Sequence, residues 1–383
     1  MTPAARLQAA AEILDEVIAS AVGDGPPADL IVTRYFKTRR YAGSSDRRAV
    51  RELAFRAIRR AAERPPSGRA AILGLAADDL ALAELLGQPR GPAPVDPDEP
   101  ISPAGAVPAW LLPELSPLVG EDELPGLLER APLDLRANAA RTGRDAMLAQ
   151  FPGAEATAIS PWGLRLPADS RVDDHPAFVD GLVEVQDEGS QLIALACAPR
   201  DAMRILDLCA GAGGKALALA AAAPGATILA SDTNRARLSH LGPRAARAGA
   251  RIEPRLLDGG REAEQLADWA GSADVVLVDA PCSGSGTWRR SPEGRWRLTA
   301  ERFDRLVAVQ AHLLDLAAAM VRPGGSLIYA VCSLLTREGA GQAAAFLARH
   351  SSWVAGETPI AAGRLDGAGR LLTPRWDATD GFF

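Results

Sequence analysis

No run of eighteen or more apolar residues occurs anywhere in the 383-residue chain. The nearest approach, residues 217–230, is interrupted by Pro224-Gly225. A membrane-spanning helix needs about 20 apolar residues, so a span of that kind is excluded. The first helix-like stretch carries Glu12, Asp15 and Glu16, with no small-residue cleavage site behind an unbroken apolar core. That argues against a secretory signal and predicts a cytoplasmic protein. Cysteine is scarce: Cys197, Cys209, Cys282 and Cys332 form no CxxC pair, and the four histidines are scattered. A zinc site or a disulfide scaffold is therefore not expected, and no metal is predicted. Chemistry by single thiols stays open.

At 48% hydrophobic and 23% charged residues, the composition is that of a globular protein with room for two or three domains. The net charge of −6 is unevenly spread. Residues 34–69 hold twelve Arg or Lys against three acids, about +9, which leaves about −15 for the remainder. A basic N-terminal face is the consequence.

Thr2 and Pro3 read as the cap and first residue of a helix, with Leu7, Ala10, Leu14, Val17 and Ala21 at spacings of three and four and a stop at Gly23. Asp46 reads as the cap of a second helix. On it Val50, Leu53, Ala54 and Ala57 form an apolar side, and Arg48, Arg51 and Arg59 share another face, either solvated or phosphate-binding. Six prolines between Pro89 and Pro103 predict a linker at 88–105 after a helical domain over 1–87. Residues 106–175 mix a helical stretch, Trp110 to Leu128, with short alternating segments such as RANAA and WGLRL, and read as a small α/β subdomain.

From 176 onward short apolar strands alternate with helices: RILDL (204–208), TILAS (227–231), VVLVD (275–279) and SLIYAV (326–331). That alternation predicts a parallel, doubly wound α/β sheet over 176–383, with ligands bound beyond the carboxyl ends of its strands. The first strand runs into Cys209-Ala210-Gly211-Ala212-Gly213-Gly214-Lys215, a small-residue turn opening a helix, where backbone can approach a nucleotide-like cofactor. Asp232, at the end of the next strand, is placed to accept hydrogen bonds from both ribose hydroxyls. Asp258, after PRLLD, is placed to accept one from an adenine amino group.

The fourth strand ends in Asp279-Ala280-Pro281-Cys282, and the fifth in Val331-Cys332-Ser333. Two thiols at the carboxyl ends of strands expected to be neighbours in the sheet point into one crevice, whereas Cys197 reads as a buried small hydrophobe. A thiolate there can add to carbon 6 of a cytosine and make carbon 5 nucleophilic toward a sulfonium methyl group; a base then removes the carbon 5 proton. Lys215 can favour the thiolate, and Asp279 can hydrogen-bond the cytosine edge. A stacked base cannot present carbon 6, so the target must be unpaired or flipped out. The Trp and Arg residues interleaved over Trp288–Arg297 suit stacking and phosphate contact. Chemistry alone leaves open which of Cys282 and Cys332 attacks.

Taken together, ILDLCAGAGGK (205–215), ASDTNRARL (230–238), LLDGGR (256–261), LVDAPCSGSGTWRRSPEGRW (277–296) and IYAVCSLLTREG (328–339) resemble the NOL/NOP/Sun family of RNA cytosine-5 methyltransferases, with VQDEGSQL (185–192) and DGFF (380–383) extending the match. The N-terminal residues 41–60 resemble the NusB-like RNA-binding domain of the bacterial Sun (RsmB-type) branch. The resemblance implies a Rossmann-like S-adenosylmethionine methyltransferase domain acting on RNA, namely 16S ribosomal RNA; a monomer is expected. It gives Cys332 the attack and Cys282 the release. It brings S-adenosylmethionine to the 209–215 turn, Asp232, Arg237, Asp258 and Asp279. The family's CAAPGGKT reads CAGAGGKA here, and its TCS reads VCS. A transfer-RNA methyltransferase, a non-catalytic RNA-binding protein and a Rossmann oxidoreductase are the alternatives. The last leaves DAPC and the second cysteine unexplained.

Overall fold

The computed structural model describes residues 1–23 and 25–383. Met1–Glu129 with Thr287–Arg302 form one compact unit, and Arg130–Gly286 with Phe303–Phe383 form another.

The first unit is built on α1 (Pro3–Val22), α2 (Ala28–Lys37), α3 (Ser44–Arg60) and α4 (Gly68–Ala77). In α1 the Thr2 hydroxyl accepts the Ala5 amide at 3.2 Å, and the predicted stripe from Leu7 to Ala21 is buried. Helix α2, entered through Gly25-Pro26-Pro27, is an element the sequence reading did not include; its buried Ile31, Val32, Tyr35 and Phe36 carry the helical spacing. Asp46 is not the cap of α3. Gly43 is, and Asp46 sits in the first turn, reaching back to the Gly43 amide at 3.3 Å and accepting Arg6 Nε at 2.9 Å. A carboxylate in the first turn still serves the positive end of the helix. Backbones of α1 and α4 touch at Gly68, where a Cβ would collide with the Ala11 carbonyl.

The proline-rich residues after α4 are tied to this unit rather than free of it. Arg69 binds the Ala93 and Pro94 carbonyls and the Glu99 carboxylate, and Arg60 donates to Ser102 O at 2.6 Å. The helix expected over Trp110 to Leu128 is instead two 3-10 helices, Ala109–Glu114 and Glu121–Leu127. Pro113 and Pro125 lie inside them, and each removes a donor that an α-helix needs.

The second unit holds two main sheets. Strands β1 (Leu133–Ala137), β2 (Glu155–Ala156), β3 (Gly163–Leu166) and β4 (Val183–Val185) form an antiparallel sheet in the order β2-β3-β1-β4. It thus extends to residue 185, past the 175 read from the sequence. Strands β5 (Arg204–Asp207), β6 (Thr227–Asp232), β7 (Glu253–Leu256), β8 (Ala273–Asp279) and β9 (Val321–Ala330) form the predicted parallel sheet, in the order β7-β6-β5-β8-β9. The order reverses between β5 and β8, the switch point at which doubly wound sheets bind ligands. Ile205, Leu217, Ile228, Val275 and Leu277 anchor its core. A hairpin of β10 (Arg364–Asp366) and β11 (Gly369–Leu371) follows. Among the described residues no helix is long and apolar enough to cross a membrane.

Candidate active site at the ends of β5, β8 and β9

The turn after β5 has the conformation its glycines foretell. Gly211 and Gly213 take φ of +56° and +82°, a region closed to most side chains. A Cβ at Gly211 would collide with the Arg237 guanidinium, and one at Gly213 with Leu241. Asp232 shapes this turn directly: one carboxylate oxygen accepts the Gly211 amide at 2.7 Å and the other the Asn234 amide at 2.7 Å. Each oxygen keeps a second lone pair for a ligand. Asp258 is exposed and accepts Gln265 Nε2 at 3.0 Å. Cys209 and Ala210 line the start of the turn, both half-buried. Burial, then the charges of Asp207, Asp232 and Asp279, push the Cys209 thiol up, a direction that disfavours its thiolate.

Two arginines absent from the sequence reading brace this turn from outside. Arg136 on β1 donates to Gly214 O at 2.9 Å and to the Gln186 side chain. Arg244 donates to Ala212 O at 2.6 Å and to Glu184 at 3.0 Å. Where the family pattern has a proline, the chain has Ala212, and the Arg244 bond holds the backbone there. An arginine on a short strand, or one on a helix, carries no local signal of such a role.

Lys215, one of two lysines in the chain, is 8% exposed, and its ammonium lies 2.5 Å from Asp279 Oδ2. Burial pulls its pKa down, but Asp279 more than offsets this, with help from Cys332 and Asp207, and the net direction is up. It therefore stays a cation. Asp207, at the end of β5, is pushed up to about 7, by burial first and then by Asp279 and Asp232, against the pull of Lys215.

The cysteines meet because β8 and β9 are adjacent, parallel and in register, with Asp279 opposite Ala330. Cys282 lies three residues beyond the first of these and Cys332 two beyond the second, and their sulfurs are 3.3 Å apart. The contact with Cys332, then burial, then the charges of Cys332 and Glu338, push the Cys282 thiol well above its ordinary range. Glu338, 0% exposed, lies behind both loops and was missed, although LLTREG contains it. No charge or spacing rule separates a buried glutamate from a helix-leading one. Cys197 is buried, as its reading as a small hydrophobe requires.

The Trp-Arg segment is not an open stacking surface. Trp288 and Trp296 are 1% and 2% exposed, and Trp296 packs in the core of the helical unit. Trp296 Nε1 donates to Ala61 O at 2.9 Å. Arg295 donates to Ile58 O at 2.6 Å and Arg59 O at 3.1 Å, satisfying carbonyls at the end of α3, and to Ala106 O at 2.6 Å. Glu293 accepts the Ala28 amide at 3.1 Å, at the start of α2 where Pro27 offers no side-chain cap. The exposed basic side chains are instead on α3: Arg48 and Arg51 face solvent, with Arg51 paired to Asp29 at 2.6 Å, while Arg59 is half-buried.

Residues 194–383 match the family described as 16S rRNA methyltransferase RsmB/F. The chain is 35% identical over 285 residues to "Ribosomal RNA small subunit methyltransferase B" of Erwinia tasmaniensis and equally to that of Enterobacter sp. strain 638, in each case over 72% of this chain and 65% of the relative. It thus spans about two-thirds of the length of these curated relatives. Among solved structures, PH0851 superposes with a TM-score of 0.77 at 21% identity, covering 100% of this chain and 98% of that one. NSun6 from Pyrococcus horikoshii gives 0.61 at 18% identity, over 70% and 94%. These two likenesses establish the Rossmann-like methyltransferase fold. With the family match over 194–383 and the curated relatives beside it, the chain belongs to the NOL/NOP/Sun methyltransferases, in the bacterial RsmB-type branch.

Proposed function

We propose that the protein is an S-adenosylmethionine-dependent methyltransferase acting on carbon 5 of a cytosine in small-subunit ribosomal RNA, with Cys332 as nucleophile and Cys282 as its partner. The observation that carries this reading is the 3.3 Å approach of the two sulfurs beyond β8 and β9, beside the Lys215–Asp279 pair. The curated relatives' names support ribosomal RNA as substrate.

The residues fit the cofactor: the small-residue turn opens a helix at Gly214, and Asp232, whose two oxygens each bind one backbone amide, has lone pairs to spare for ribose hydroxyls. Cys209 to Lys215, Asp232, Arg237, Asp258 and Asp279 would hold it. When bound, S-adenosylmethionine supplies an electrophilic methyl group. Cys332, as thiolate, forms a bond to carbon 6 and pushes the ring electrons toward carbon 5 and the pyrimidine edge. Asp279 stabilises that edge by hydrogen bonding, and Lys215 holds the carboxylate in place. After carbon 5 is methylated, its proton leaves to a base and the Cys332–carbon 6 bond breaks, returning the electron pair to sulfur. Cys282, protonated at the start of this step, faces the leaving sulfur and can pass its proton to it as the carbon 6 bond breaks, which is the step that Cys282→Ala would stall.

The test uses radiolabelled S-adenosylmethionine with 16S ribosomal RNA, followed by bisulfite mapping. Cys332→Ala should abolish incorporation, whereas Cys282→Ala should accumulate an RNA–protein adduct stable to denaturing electrophoresis. An adduct in Cys332→Ala instead would reverse the roles. Label found in transfer RNA alone would overturn the substrate assignment.

A further inference from the structure

Behind the two cysteines lies a buried polar cluster that the reaction above does not use. Glu338 receives four donors. Ser283 N at 2.8 Å and Gln310 Nε2 at 3.0 Å reach one oxygen; Ser283 Oγ at 2.5 Å and Ser333 Oγ at 2.6 Å reach the other. Ser283 follows Cys282 and Ser333 follows Cys332, so one carboxylate grips the neighbours of both thiols. Ser285 completes the link: its hydroxyl lies 3.1 Å from Ser333 Oγ and accepts the Leu334 amide at 2.9 Å. Gln310 also donates to Pro281 O at 2.9 Å, and the Tyr329 hydroxyl to Glu338 O at 2.6 Å.

Such a cluster needs a reason. A charge buried in an apolar interior is costly unless its hydrogen bonds are satisfied, and packing alone is met more cheaply by a hydrophobic side chain. Of the groups named here, only a carboxylate accepts from all four donors at once. Its donors lie on three separate segments: the loop after β8, the turn after β9, and the helix Ala300–Met320.

We propose that Glu338 is a positioning residue whose carboxylate locks the Cys282 loop to the Cys332 turn, and so fixes the contact between the two thiols and their division into a protonated and a reactive sulfur. The electrostatics agree, since the charge of Glu338 is among the causes that push Cys282 upward. This inference rests on the functional reading of the cysteine pair, and its test does not require methyl transfer.

The full chain and its Glu338→Gln and Glu338→Asp variants are alkylated with iodoacetamide across a pH series, and each cysteine is followed by peptide mass spectrometry. In the wild type, Cys332 should react well ahead of Cys282 at neutral pH. Glu338→Gln should shrink that ratio by about tenfold or more, the effect of about one pH unit between the two profiles, and Glu338→Asp should restore part of it. In single-turnover methylation the same variant should lower the rate at saturation and leave KM nearly unchanged. A folded Glu338→Gln protein with unaltered profiles overturns the proposal. Should that variant not fold, Ser333→Ala, which deletes one donor and keeps the carboxylate, must move the ratio in the same direction; an unchanged ratio overturns it equally. Altered thiol profiles in a protein that never methylates RNA would sink the methyltransferase reading and leave Glu338 standing.

Discussion

Replacing Asp207 by Asn should stabilise the protein, and do so only at the higher end of the pH range. The carboxyl is 1% exposed at the end of β5 and is pushed up to about 7, by burial first and then by Asp279 and Asp232. Unfolded, an aspartate titrates near about 3.9. An acid with the higher pKa in the folded state binds its proton more tightly there. The folded protein therefore carries more protons than the unfolded chain between about pH 4 and pH 7, and stability falls as the pH climbs through that window. Below it the cost is absent, and above it the cost is complete. At 1.36 kcal/mol per pH unit, a separation of about three units amounts to at most about 4 kcal/mol. Asn keeps the shape without the charge, so Asp207→Asn should recover up to that amount near pH 8 and almost none near pH 4. Half the ceiling would raise Tm by about 4–8 °C in a domain of this size. Denaturant unfolding of both proteins at several pH values between about 4 and 8 measures the difference. A constant offset at every pH would refute the assignment of the effect to the buried charge.

Lys215→Met should lower the methylation rate by about 100-fold or more, since it leaves Asp279 without its cation and removes a buried positive charge that interacts with Cys332; a loss below tenfold in a single-turnover assay would contradict that role. Gly213→Ala should cost about 1–3 kcal/mol through its φ of +82° and the collision with Leu241, and should weaken S-adenosylmethionine binding by calorimetry. Trp296→Ala should destabilise by about 3–5 kcal/mol in denaturant unfolding, as a core deletion does, and leave the salt dependence of RNA binding untouched. Arg48→Ala together with Arg51→Ala should lower the slope of log affinity against log salt by about 2 while barely moving Tm, because the Arg51–Asp29 pair is exposed; an unchanged slope would make that face of α3 merely solvated.

What was legible in the sequence was local. Strand runs such as VVLVD and the glycines of the turn announce their conformation through residues a few positions apart, and the parallel sheet followed from them. The Trp288–Arg297 segment misled for the opposite reason. Its composition suits a solvent-facing RNA surface, yet its partners are the ends of α2 and α3, more than two hundred residues away in sequence. Separation also hides Arg136 and Arg244, which lie 78 and 32 residues from acceptors that are carbonyls no residue type advertises. Prolines were half-informative: they did break α-helix over 109–127, but the chain between α4 and Ala109 is fastened by Arg60 and Arg69 rather than left as a spacer.

The two cysteines are nearly symmetric in the sheet, each two or three residues past a strand end, and geometry alone gives neither the first move. Their surroundings are not symmetric. Cys332 contributes to the upward shift of Lys215, which places its charge within reach of the one buried ammonium in the site. Cys282 is raised by its contact with Cys332, by burial, and by the negative charges of Cys332 and Glu338. A thiolate is favoured beside a cation and disfavoured beside a carboxylate. The proposed order, Cys332 attacking and Cys282 assisting release, is what the family resemblance implies, and the upward push on the Cys282 thiol accords with it. It also predicts its own reversal: moving the positive charge away with Lys215→Met should slow Cys332 alkylation at neutral pH more than that of Cys282, and equal slowing of both would remove this support for the order.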